Sequence, residues 1–178
     1  MTVATRIRRV DGEGLVSRIT ALSRFTDLVA GSVPADRLDP ARAVIEHAGR
    51  RLSLSGDHTV VALAGATGSG KSSLFNKIAG LPLSPVGLRR PTTGVAHACT
   101  WGSAAPAVPL LDWLGVPTGH RFSRESALDG DDQAALRGLV LLDLPDFDSV
   151  EEEHRVEVDR LLELVDLVVW VLDPQKYA

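Results

Sequence analysis

One cysteine, Cys99, is the whole thiol content of this 178-residue chain, so no internal disulfide can staple it. That scarcity points to a reducing, cytoplasmic setting, with a core built by apolar burial alone. Cys99 sits in an apolar, strand-like run, which suits a buried inert thiol rather than a nucleophile. Long hydrophobic runs are missing too. Leu167 to Leu172 is the nearest approach to one, far short of the ~20 residues of a spanning helix. No apolar segment follows Arg6, Arg8 and Arg9, so no secretory signal is expected and those arginines read as a solvated basic tail. Aromatics are few, and Trp101, Trp113 and Trp170 are scattered, which argues for packing rather than a base-stacking platform. The five histidines lack ligand spacing, and neither HExxH nor a Cys/His cluster is present, so no zinc site is expected. Ser72 and Ser73 lie in no G-x-S-x-G elbow, which removes a serine-hydrolase triad. The net charge of −4 supplies no overall attraction to nucleic acid or anionic membrane.

What the chain does have is an alternation of helical and strand patterns. Leu15, Ile19, Leu22, Thr26 and Val29 recur at helical spacing before Gly31 and Pro34 interrupt them. Asp39-Pro40 opens a second helical stretch through Ala41, Val44, Ile45, Ala48 and Leu52. Residues 1–57 are therefore expected to be a helical extension. Three short apolar runs then read as buried strands: Thr59–Ala64 (TVVALA), Leu139–Leu142 (LVLL) and Leu167–Leu172 (LVVWVL). Val95–Trp101 reads as an edge strand. Helices are expected over about 70–79, closed by Gly80, and from the Ser149/Glu152 capping box to about Val165, with Val158, Leu161, Leu162 and Val165 inward. Glu151 and Arg155 are spaced to pair on its outer face. Residues 102–137, rich in Pro, Gly and Asp, read as a mostly irregular insertion with a short helix at Gln133–Arg137. Strands alternating with helices imply an α/β fold with a mainly parallel sheet, occupying 58–178. A parallel sheet rarely stops on a strand, so this reads as the N-terminal part of a longer protein.

The turn after TVVALA carries the chemistry. Gly65-Ala66-Thr67-Gly68-Ser69-Gly70-Lys71-Ser72 matches GxxxxGK[ST], the Walker A pattern, and lies between a strand and a helix, as that pattern requires. The backbone must wrap a phosphate with N–H groups inward, and glycines leave room for it. The helix from Gly70 aims its free N–H groups and dipole at the anion. Residues Gly65 to Ser73 are thus the expected nucleotide-binding loop. Lys71 reaches the β/γ-phosphates and Ser72 ligates Mg²⁺. Asp143, ending a second strand, is Walker B-like and would hold Mg²⁺ through a water. Asp173 ends the next strand similarly but reads equally well as a turn residue.

Gly70-Lys-Ser-Ser-Leu-Phe-Asn76, closing at Gly80, resembles the first motif of the translation-factor-like class of P-loop GTPases, in its Era/EngA branch (GKSxLxNxLxG). Large dynamin-type GTPases are the competing subfamily, because they too carry long connections between early strands. Asp143-Leu-Pro145 resembles the start of the family's DxxG motif, and Pro91-Thr-Thr93 its first switch segment. The resemblance implies a three-layer P-loop fold, GTP or GDP as ligand, Mg²⁺ as cofactor, and GTP hydrolysis. It also implies that Thr93, with Thr92 as fallback, ligates Mg²⁺ and joins Lys71 in catalysis.

Two departures bear on turnover. The glycine of DxxG is Asp146 here, adding negative charge near an anionic ligand unless a cation offsets it. The next position is Phe147, whose ring cannot orient water, so hydrolysis is expected to be slow or helped by a protein partner or effector. No [NT]KxD guanine reader follows Val171, and Lys176 has no Asp two residues later. Guanine therefore rests on the resemblance. The alternatives are a P-loop ATPase or phosphotransferase, and a nucleotide-dependent assembly module with little turnover. Any membrane association is expected through residues beyond 178.

Overall fold

The structure is a computed structural model that describes residues 12–86, 94–125, 135–146 and 152–173. The chain divides into two compact units, Met1–Gly56 and Asp57–Ala178.

The first unit contains two helices, α1 (Gly12–Val29) and α2 (Ala35–Leu54). The link between them turns tightly, with the Ser32 and Val33 amides both donating to the Val29 carbonyl at 2.9 Å. The second helix starts at Ala35, earlier than the Asp39-Pro40 signal suggests, and Pro40 lies inside it. Pro40 frees the carbonyl of Asp36, and both residues are exposed, so water can satisfy the lost bond. Thr26 and Leu38 are buried, while Leu15, Leu22, Phe25, Leu28 and Val44 stay exposed.

The second unit is a five-stranded sheet in the order β3-β2-β4-β1-β5. Its strands are β1 (Thr59–Ala64), β2 (His97–Trp101), β3 (Arg121–Arg124), β4 (Leu139–Asp143) and β5 (Leu167–Trp170). Among the described residues three helices accompany them: α3 (Lys71–Ala79), α4 (Val108–Leu114) and α5 (Glu152–Leu164). The apolar runs TVVALA and LVLLD form the centre, β1 lying parallel to both β4 and β5. Only β2 runs against its neighbour β4. The sheet is thus mostly parallel, as expected for an α/β domain. Packed under it, Leu63, Phe75, Ala79, Cys99, Trp101 and Leu141 form one apolar cluster. Cys99 is buried and free, and burial pushes its thiol up to about 11. That keeps it protonated and unreactive.

Three expectations need correction. Val95–Trp101 is no edge strand: β2 lies between β4 and β3, all five of its residues are buried, and it begins at His97. The described residues of 102–137 are not mostly irregular, since they hold α4 and β3, with 3₁₀ turns at Ala105–Ala107 and Thr118–His120. Arginines fasten this segment. Arg121 donates to the Val116 carbonyl and pairs with Asp112, Arg160 of α5 donates to the Leu114 carbonyl, and Arg124 donates to the Ala79 carbonyl at the end of α3. The third correction concerns β5, which is apolar but not buried. Leu167, Val169 and Trp170 are exposed, and among the described residues β5 pairs only with β1.

In α5, Val158 and Leu161 are buried as the pattern indicates. The Ser149/Glu152 box, the Glu151–Arg155 pair and Gln133 fall wholly or partly outside the described residues.

Phe75 tests the core. It is fully buried on α3 between the loop and the sheet. Phe75→Ala should lower unfolding free energy by about 3–5 kcal/mol, read by urea denaturation. A loss under about 1 kcal/mol would mean that α3 is not anchored through this ring.

Candidate functional site

The turn from β1 into α3 is shaped by its glycines. Gly65 has φ +154°, and a Cβ there would drive into the Val171 carbonyl oxygen and crowd Ser69 Oγ. Gly70 has φ +96°, a left-handed conformation, and precedes α3 with no side chain capping the helix. The Ser69 amide donates to the Ala66 carbonyl at 3.1 Å, closing the loop on itself, while Ser69 Oγ is buried without a hydrogen-bond partner.

Lys71 is only 4% exposed, although lysine strongly prefers water. Its ammonium donates to the Gly65 carbonyl at 2.9 Å, the Ala66 carbonyl at 3.1 Å and Asp146 Oδ1 at 2.7 Å. Asp146 is delivered by a buried continuation of β4: Leu144 and Pro145 are buried, and the Leu144 amide donates to the Leu63 carbonyl at 3.3 Å.

Asp143 ends β4 with no exposure, beside Leu63 of β1 and His97 of β2. Its Oδ2 accepts from the Ser84 hydroxyl at 2.6 Å, and Ser72 also hydrogen-bonds the carboxyl. Its Oδ1 is buried without a partner. Burial pushes this carboxyl above its ordinary range, against the hydrogen bonds from Ser84 and Ser72 and the nearby charges of Lys71 and His97. His97 is itself held below its ordinary value, by burial first and by His120 second. Those two rings meet at 2.8 Å between His120 Nδ1 and His97 Nε2, a junction that links the 3₁₀ turn before β3 to the strand beside Asp143.

The loop Gly65–Ser73, Lys71, Ser72 and Asp143 thus converge at the ends of β1 and β4. Thr93, with Pro91 and Thr92, lies outside the described residues, as do Phe147 and Lys176. Sequence reasoning missed Ser84, which carries no motif. It also missed how Asn76 places it: Asn76 Oδ1 accepts from the Leu83 and Ser84 amides at 2.9 and 2.8 Å, and Nδ2 donates to the Ser84 carbonyl at 2.7 Å. Asn76 marked a family; here it is a clamp. No group of three or more His, Cys, Asp or Glu able to hold a metal occurs among the described residues. A cation at this end would need mixed hydroxyl, carboxylate and ligand oxygens, and the orphan Oδ1 of Asp143 beside Ser72 suits a hard ion of that kind. No helix among the described residues is long and apolar enough to cross a membrane.

A family model described as 50S ribosome-binding GTPase matches residues 60–178. Among curated proteins no relative matches. Two solved chains, described as an oligomerised bacterial dynamin pair that provides a mechanism for long-range sensing and tethering of membranes, are distantly similar. They share 13% and 14% identity over 94% and 96% of this chain, with TM-scores of 0.33 and 0.36. This chain spans about a third of their length, 34% and 35%. Likeness at that level carries no argument.

Two outcomes follow from the geometry. Because the Asp143 carboxyl is raised from 3.8, its contribution to stability is full below that value and is lost as pH rises through the raised one. Asp143→Asn should therefore melt above the native chain at neutral pH, with the gap closing as the pH is lowered; equal melting across that range would contradict the assigned burial cost. Asn76→Ala removes three hydrogen bonds and should cost about 1–3 kcal/mol in urea unfolding. An unchanged midpoint would show that Ser84 is held by other means.

Proposed function

The chain belongs to the 50S ribosome-binding GTPase family, and on that premise we propose that it binds GTP and GDP with Mg²⁺ and hydrolyses GTP slowly, as a nucleotide-dependent switch. The observation that carries this reading is the convergence of the uncapped, Gly-rich loop with Lys71, Ser72 and the buried carboxylate of Asp143. Residues Gly65 to Ser73 would wrap the phosphates with their amides, and Lys71 would meet the β/γ-phosphates. Ser72 and Asp143, joined by Thr93, would hold Mg²⁺, which when bound offsets the negative charge of the phosphates. Ser84 and His97 would then keep Asp143 oriented from the protein side.

Slow turnover follows from the residues after Asp143. Phe147 has no polar atom with which to align an attacking water, and Asp146 already occupies the lysine that turnover needs. Rapid hydrolysis would accordingly call for a group from a protein partner. The ion pair of Lys71 with Asp146 also favours, as second reading, a nucleotide-dependent assembly module with very little turnover. A cytoplasmic location is part of the proposal, since the free and buried Cys99 suits a reducing compartment.

Titration calorimetry on the full-length protein with Mg²⁺ tests the base preference. GTP should bind at least about tenfold more tightly than ATP, the difference of about 1.4 kcal/mol expected from one well-placed base contact. Equal affinities would overturn the guanine assignment. Lys71→Ala should abolish binding of both nucleotides, and a variant that still binds them would remove Lys71 from the site.

A further inference from the structure

An ammonium has three N–H donors, and all three of Lys71's are taken. Two go to carbonyls of the loop itself, Gly65 and Ala66, at 2.9 and 3.1 Å. The third goes to Asp146 Oδ1 at 2.7 Å, in a pair whose side chains are 4% and 14% exposed. The two carbonyl contacts are part of how the loop is folded, so a phosphate can recruit this lysine most readily at the expense of Asp146. The carboxylate cannot retreat far along the backbone, because Leu144 and Pro145 before it are buried and Leu144 is tied to the Leu63 carbonyl. Whatever anion Lys71 contacts will therefore lie within a few ångströms of a second negative charge, in a place poorly screened by water.

We infer that Asp146 is a specificity-determining residue: a tethered anion on Lys71 that disfavours the most highly charged nucleotide, so that the site prefers a nucleoside diphosphate to the triphosphate. The inference rests on the nucleotide-binding reading of the loop given above. A diphosphate needs to share Lys71 with Asp146. A triphosphate must share it too, and brings a further phosphate into the same field. The repulsion grows with ligand charge, and the native carboxylate sets the balance. Anything that draws Asp146 off Lys71, such as a cationic group from a partner, would shift the site toward the triphosphate.

The test compares the full chain with Asp146→Asn and Asp146→Glu, titrating GDP and a non-hydrolysable GTP analogue in the presence of Mg²⁺. Asp146→Asn, nearly isosteric but uncharged, should tighten the triphosphate analogue by about tenfold or more and GDP by a clearly smaller factor. Asp146→Glu keeps the charge and should keep the native preference, which a purely structural role for the side chain would not require. Melting curves on each variant separate altered binding from altered folding. If Asp146→Asn binds both nucleotides with the native ratio, the inference is wrong while the binding site stands. If it weakens the triphosphate selectively, Asp146 supports the ligand instead of opposing it, and the inference is again overturned. Should none of the three proteins bind either nucleotide while remaining folded, the nucleotide reading falls and this inference with it.

Discussion

Asp143 is a carboxylate with no exposure, and a buried carboxylate survives only where hydrogen bonds and opposite charge compensate its lost hydration. The compensation here is drawn from three separate segments. Lys71 and Ser72 come from the first turn of α3, Ser84 from the segment clamped by Asn76, and His97 from the antiparallel strand. None of these is near Asp143 in sequence, so the demand of one charged group organises the whole end of the sheet. The compensation is also incomplete, as the unpartnered Oδ1 and the raised carboxyl both indicate. Protein sites that hold ligands are commonly less stable for that reason, and a cation or a bound water would relieve this one.

Lys71 presents the complementary problem. A buried ammonium must spend its three donors, and it does so on two carbonyls and on Asp146. Three charged groups thus meet here: Lys71 pairs with Asp146 and also acts on Asp143, the residue that ends β4. Removing any one leaves the others unbalanced, and the effects of substitutions here should therefore not add.

The legible parts of the sequence were those whose signal is local. TVVALA and LVLLD declare themselves by continuous apolarity, and the turn after β1 by its closely spaced glycines, three of which take positive φ. The β3 strand was illegible because RFSR has no apolar alternation: its strand state comes from pairing with β2, a partner some twenty residues away in sequence. The exposure of β5 was hidden for the opposite reason. Its residues are apolar enough for a core, and only the order of strands reveals that among the described residues β1 is its one neighbour. In the site, Asp146 was visible as a departure from a motif, yet its ion pair with Lys71 depends on the path of the chain after β4. Ser84 could not have been found, since a lone serine after Leu-Pro-Leu carries no pattern; only the grip of Asn76 gives it a fixed position.

The segment between β2 and β4 bears on how such folds tolerate additions. A decorative loop can be trimmed from a sheet without consequence, but this one has become structural. Its strand covers the outer side of β2, its Arg124 takes the last carbonyl of α3, and its His120 rests on the histidine beside Asp143. Excising it would expose a new sheet edge and loosen the far end of the helix that follows the Gly-rich turn. The segment is therefore no removable module: a substitution in it acts on the rest of the sheet through β3, Arg124 and His120.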